Sequence, residues 1–161
     1  MAPQAAGTTW YPNRFMEPVA TNEPWLSSAL QAVAQTLASV KAGAIGVERT
    51  ALLGFSQGAC LALEFAARNC CRYGGVVALS GGLIGADTGP REMTGSLAGT
   101  PLLIGCSDVD AHIPVQREQL AAQEMERLGG AVTLRFYPGR GHTVNRDELD
   151  WVSTLLKTLA Q

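Results

Sequence analysis

The sequence predicts an α/β domain built on a mostly parallel sheet of about four strands, with helices on both faces. Three observations lead there. Short apolar runs of strand length near 50–55, 75–79, 101–106 and 132–137 alternate with segments of helical periodicity. Those runs are continuously apolar, the pattern of strands covered on both faces. Of 161 residues, 47% are apolar and only 16% charged, enough for one sizeable core. No repeat, linker or composition shift divides the chain, so 1–161 reads as a single domain.

The elements follow in order. Residues 1–22 are irregular and rich in Pro, Gly, Asn and aromatics. Asn22 or Glu23 before Pro24 opens a helix. Trp25, Leu26, Ala29, Leu30, Val33, Leu37 and Val40 then recur at helical spacing to about Ala42, and Gly43 and Gly46 close it. Arg49 to Phe55 reads as a buried strand, followed by an alanine- and leucine-rich helix from about Gln57 to Asn69. Gly75–Leu79 and Pro101–Cys106 are further buried strands. A helix from about Val115 to Leu128, a strand from Val132 to Tyr137 and a helix from Arg146 to Ala160 complete the chain. Residues 81–100 form a connection too short for a large cap domain.

Composition excludes several function classes. A net charge of −2 argues against nucleic acid and anionic membrane surfaces as partners. No apolar stretch is long enough to span a bilayer, and the first residues lack the basic start and apolar run of a signal peptide. Cys60, Cys70, Cys71 and Cys106 show no metal-ligand spacing, and adjacent Cys70 and Cys71 pair poorly. A reduced cytoplasmic setting is expected, with the cysteines acting as small buried hydrophobes.

Chemistry concentrates at Gly54-Phe55-Ser56-Gln57-Gly58, between a predicted strand and a predicted helix. In that context G-x-S-x-G puts the serine on a sharp, strained turn with its hydroxyl above the sheet. A Cβ at either flanking glycine is expected to strike the neighbouring strand or helix. Ser56 is then the candidate nucleophile, and the Gln57 backbone N–H faces the developing oxyanion. In a parallel sheet, function gathers at the carboxyl ends of strands. Two other ends carry complementary groups: Asp108 and Asp110 after the third strand, and His142 in Tyr137-Pro138-Gly139-Arg140-Gly141-His142 after the fourth. His142 lies on a flexible-backbone loop able to bend toward Ser56, which makes it a better base than His112. Asp110 is the orienting acid; Asp108 is the alternative, or braces the loop. Ser80 reads as a turn serine. This set supports acyl transfer through an acyl-enzyme without a metal or organic cofactor.

With these residues the chain resembles the phospholipase/carboxylesterase family of α/β hydrolases, which includes acyl-protein thioesterases and small bacterial carboxylesterases. Further matching pieces are Ala2-Pro3-Gln4-Ala5, Thr9-Trp10-Tyr11-Pro12, Leu79-Ser80-Gly81 and Asp110-Ala111-His112-Ile113-Pro114. The resemblance implies a shortened α/β-hydrolase fold. It implies Ser56, Asp110 and His142 as triad, and hydrolysis of carboxylic esters, lysophospholipids or thioesters. Family members are longer at the N-terminus by roughly fifty residues on the usual domain size. That part holds the first strands and the loop giving a second oxyanion donor. Without it the strand Thr50–Phe55 becomes an edge, apolar and open to pairing. A second copy across a two-fold axis, a homodimer, is the expected cover.

Trp10, Tyr11, Phe15 and Met16 are candidates to line an acyl pocket, or else pack the N-terminal segment on the sheet. With no cap, the site is expected to be open and to favour small-molecule esters with short acyl chains. Two other readings compete. Dienelactone-hydrolase-like chemistry typically uses cysteine where Ser56 stands. A shortened hydrolase-fold protein without turnover would serve as a binding or assembly module.

Overall fold

A computed structural model describes residues 1–5, 7–86 and 92–161. The elements are α1 (Trp25–Ala42), β1 (Ala51–Phe55), α2 (Gln57–Arg68), β2 (Gly75–Leu79), β3 (Pro101–Cys106), α3 (Val115–Arg127), β4 (Ala131–Phe136) and α4 (Arg146–Leu159). One-turn 3₁₀ segments sit at Val19–Asn22 and Val47–Arg49. The four strands form one parallel sheet in the order β1-β2-β3-β4.

Side-chain chemistry decides which layer each helix joins. Residues 59–67 of α2 are all buried. One side of α2 packs on the sheet with Leu52, Val76, Ala78, Leu102 and Ile104, in a cluster that also takes Ala121 and Met125 of α3. Its other side, through Cys60 and Leu61, meets Leu26 and Ala29 of α1 together with Tyr11 and Phe15 of the N-terminal segment. A helix enclosed this way needs small apolar residues all round, hence its alanines. On the opposite sheet face, α4 packs Leu155 against Val77, Leu79 and Leu103. The expected α/β class, with helices on both faces, is what the structure has.

Two expectations need correction. The first strand is not buried throughout: Leu53 is 54% and Phe55 40% exposed, while Leu52 is buried. The reason is topological. β1 pairs only with β2 and forms an edge, and the cluster under α4 takes in β2, β3 and the start of β1 at Ala51 but not Leu53 or Phe55. The last strand starts at Ala131, one residue earlier than the pattern suggests, because the Ala131 N–H already bonds Thr100 O (2.9 Å). Among the described residues no helix is long and apolar enough to cross a membrane.

Candidate active site

The site starts from the turn between β1 and α2. Ser56 has φ 55° and ψ −120°, a left-handed conformation that is costly for a residue with a Cβ. Neighbours hold it there: its N–H bonds Leu79 O (2.9 Å) and its carbonyl accepts from Cys60 N (3.1 Å). A Cβ at Gly54 would collide with the Gly58 carbonyl, so glycine is required where strand and helix nearly touch. Gly58 does not repeat this. A Cβ there meets nothing within 4 Å, which corrects the expectation that both flanking glycines are needed for clearance.

The loops after β3 and β4 bring two more groups to this turn. His142 Nε2 lies 2.8 Å from Ser56 Oγ, and His142 Nδ1 lies 2.7 Å from Asp110 Oδ2. The other Asp110 oxygen accepts from the backbone N–H of His112 (2.8 Å) and Ile113 (3.1 Å). Burial would raise the Asp110 pKa, but bonds from His142 and these two amides outweigh it and hold the carboxyl below its ordinary range. The Asp110 side chain is fully enclosed. Ser56, His142 and Asp110 are thus joined in one hydrogen-bonded chain. Both links fall within the reach that proton transfer from a serine hydroxyl requires.

The remaining residues singled out in the sequence separate by position. Tyr11 and Phe15 line a cleft of about 570 Å³ that contains Ser56, Gln57, His112 and His142. Trp10 does not line that cleft; it borders a separate groove of about 430 Å³ beside Leu52 and Leu53 of β1. His112 is exposed, its ring edge-on to that of His142 at 4.8 Å. Phe55 flanks His142 from β1, also at 4.8 Å between ring centroids. Asp108 accepts from Gly139 N (2.7 Å), so it braces the His142 loop and makes no bond to the imidazole. Ser80 is buried, with φ 52° and its N–H on Gly105 O. All four cysteines are free thiols, and burial pushes Cys60 up to about 12. Among the described residues no cluster of three or more His, Cys, Asp or Glu is disposed to hold a metal ion.

Three features around the site were not read from the sequence. The Gln57 side chain accepts from Trp10 N (2.6 Å) and donates to Tyr11 O (2.9 Å), clamping the N-terminal segment to the serine turn. Ser107 Oγ accepts from Gly141 N (3.1 Å), a second tie between the Asp110 and His142 loops. Glu118, in the first turn of α3, is fully buried, and among the described residues only the weak Cys106 thiol is placed to bond its carboxylate. Burial, with repulsion from Asp110 and Glu148, pushes its pKa up to about 8 despite the nearby Cys106 thiol. Only the Gln57 clamp had a signal: a long amide beside the nucleophile, facing an irregular segment with unsatisfied backbone groups.

Comparison with known proteins gives this arrangement a lineage. The model of the phospholipase/carboxylesterase family matches residues 2–160. The chain belongs to this family. A crystal structure of a phospholipase/carboxylesterase from Dyadobacter fermentans superposes with a TM-score of 0.90 at 40% identity, covering 98% of this chain and 74% of that one. Acyl-protein thioesterase 1 of Gibberella zeae is 32% identical over 112 residues, 68% of this chain and 48% of that protein. A probable carboxylesterase SOBER1-like protein of Arabidopsis thaliana is 28% identical over 138 residues, 84% of this chain and 53% of that protein. The chain therefore spans about half the length of the curated relatives it matches.

Proposed function

We propose that the protein is a serine hydrolase that cleaves carboxylic ester or thioester bonds of small or short-chain acyl substrates. The observation that carries this reading is the imidazole of His142, within hydrogen-bond distance of both Ser56 Oγ and Asp110 Oδ2. In this mechanism His142 Nε2 takes the Ser56 proton as Oγ attacks the acyl carbonyl. Asp110 fixes the tautomer and stabilises the imidazolium. Collapse of the tetrahedral intermediate transfers the His142 proton to the leaving oxygen or sulfur. Water, deprotonated by the same histidine, then releases the acid and restores Ser56.

The Gln57 backbone N–H, at the first position of α2, has no partner within the helix and is the donor assigned to the oxyanion. The Trp10 N–H is not available for that role, because it is taken by the Gln57 side chain. The short-chain preference is supported by the modest size of the cleft, about 570 Å³. Family membership supports ester chemistry. A cytoplasmic setting belongs to the same reading and is supported by the four free thiols.

The test is hydrolysis of p-nitrophenyl acetate, butyrate and octanoate by the purified protein beside Ser56→Ala. Turnover is expected with the shorter esters and should fall by about 10⁴-fold or more in the variant. Folded protein with no turnover above Ser56→Ala would overturn the reading in favour of a catalytically silent binding module.

A further inference from the structure

The cleft that holds Ser56 carries an electrostatic bias that the reaction itself does not use. Its lining carries one guanidinium, Arg14, and among the described residues no carboxylate lines it, the Asp110 side chain being enclosed and bonded to His142. This occurs in a chain whose net charge is −2, so the bias is local. Arg14 is exposed, and among the described residues no acidic group lies within ion-pair distance of its guanidinium.

The backbone on either side of Arg14 is fixed by groups far less exposed than Arg14 itself. Asn22 is fully buried. Its Oδ1 accepts from Asn13 N (2.8 Å) and its Nδ2 donates to Arg14 O (3.3 Å). Asn13 returns a bond from its own side chain to Thr21 O (2.7 Å). On the other side, Phe15 O accepts from Gly85 N (2.7 Å), and the Arg117 guanidinium sits 5.3 Å from the Phe15 ring. Arg14 is therefore a free guanidinium mounted on immobilised backbone at the mouth of the cleft. Such mounting lowers the ordering cost of any bond its side chain makes.

We propose that Arg14 is a specificity-determining residue that binds an anionic group, carboxylate or phosphate, on the ester being cleaved. The proposal rests on the serine-hydrolase reading and narrows its substrate class. A planar guanidinium suits either anion through paired N–H bonds. The anion can belong to the acyl part or to the leaving group, and both place negative charge in the same cleft.

The experiment compares matched esters in the wild type and in Arg14→Gln. On the acyl side, p-nitrophenyl hemisuccinate is measured against p-nitrophenyl butyrate. On the leaving side, p-carboxyphenyl butyrate is measured against phenyl butyrate. Each neutral ester is an internal reference, so any general effect of the substitution cancels in the ratio of kcat/KM values. The anionic-to-neutral ratio should fall about fivefold in Arg14→Gln for one of the two pairs, and less in Arg14→Lys. The pair that responds identifies the side carrying the charge. Unchanged ratios for both pairs overturn the proposal. If the wild type hydrolyses none of the four esters, the hydrolase reading fails separately, and binding decides the proposal. Succinate should then shift the His112 and His142 ring resonances of the wild type, with affinity at least fivefold weaker in Arg14→Gln. No shift in the wild type, or equal affinity, overturns it.

Discussion

At the scale of single residues, the site depends on groups that hold other groups still. Asp110 is the clearest case. It spends one oxygen on His142 and the other on two backbone amides, so its charge and its position are both fixed. Asp110→Asn keeps the size and removes the charge, and is expected to lower kcat by about 10³–10⁴ while circular dichroism stays unchanged. A loss under tenfold would mean that His142 is oriented without it. Gln57 acts at a distance from the chemistry through its side chain. Gln57→Ala removes both ties to the Trp10–Tyr11 backbone and should cost about 1–2 kcal/mol. Faster amide exchange confined to residues 7–16 would show it; unchanged exchange there would mean that Tyr11 and Phe15 hold the segment by packing alone. These supports also mark what the sequence conceals. The meeting of Ser56, His142 and Asp110 in one hydrogen-bonded chain was legible because each follows an apolar run that ends at the same edge of the sheet. For Asp108 loop bracing was one of two readings, and its bond from Gly139 N selects it; the bracing by Asn22 and Ser107 was not legible, because such side chains bond to whichever backbone amide the fold brings near.

At the scale of elements, the strands were legible almost to the residue. β2 and β3 are apolar throughout and lie mid-sheet, so composition and environment agree. β1 has a similar composition but a different environment: its place at the sheet edge, beyond the reach of α4, exposes Leu53 and Phe55. α3 holds the least expected feature. In the sequence Glu118 is one of several charged residues on a helix, and nothing in the spacing distinguishes it from the solvated ones. The fold buries it behind Asp110, beside Cys106 and Glu148. Its folded pKa of about 8 stands above the ordinary value of 4.5. Below pH 4.5 the group is neutral in folded and unfolded chains alike and costs nothing. Between pH 4.5 and 8 the unfolded chain ionises and the folded one resists, so stability falls as pH rises through this window. Glu118→Gln removes the ionisation. It should flatten that slope and raise stability at pH 9 by up to about 5 kcal/mol. Urea unfolding midpoints at pH 5 and pH 9 check this. Equal pH dependence in wild type and variant would place the Glu118 pKa in the ordinary carboxylate range.

At the scale of the whole molecule, the open question is the outer edge of β1. The sheet ends there, with backbone N–H and C=O groups that β2 does not engage and with Leu53 more than half exposed. Beside the edge runs the groove bounded by Val33, Leu37, Val40, Leu53 and Leu61. Native edge strands are ordinarily shielded by charge, proline, a bulge or a covering element, and residues 51–55 carry neither charge nor proline. The proposal for this edge is a second copy of the chain. A two-fold axis beside β1 sets it antiparallel to its symmetry mate, extends the sheet and brings the two Leu53 side chains into one interface. Such a pairing would leave each Ser56 turn within one chain, so the test of it is stability and mass rather than turnover. Size exclusion with light scattering at micromolar concentration should give twice the chain mass. Leu53→Lys puts like charges at the centre of the interface and should return the monomer, with faster amide exchange along β1. A wild-type protein that is monomeric at that concentration, with the β1 edge freely exchanging, would rule the dimer out and leave the edge for a different occupant.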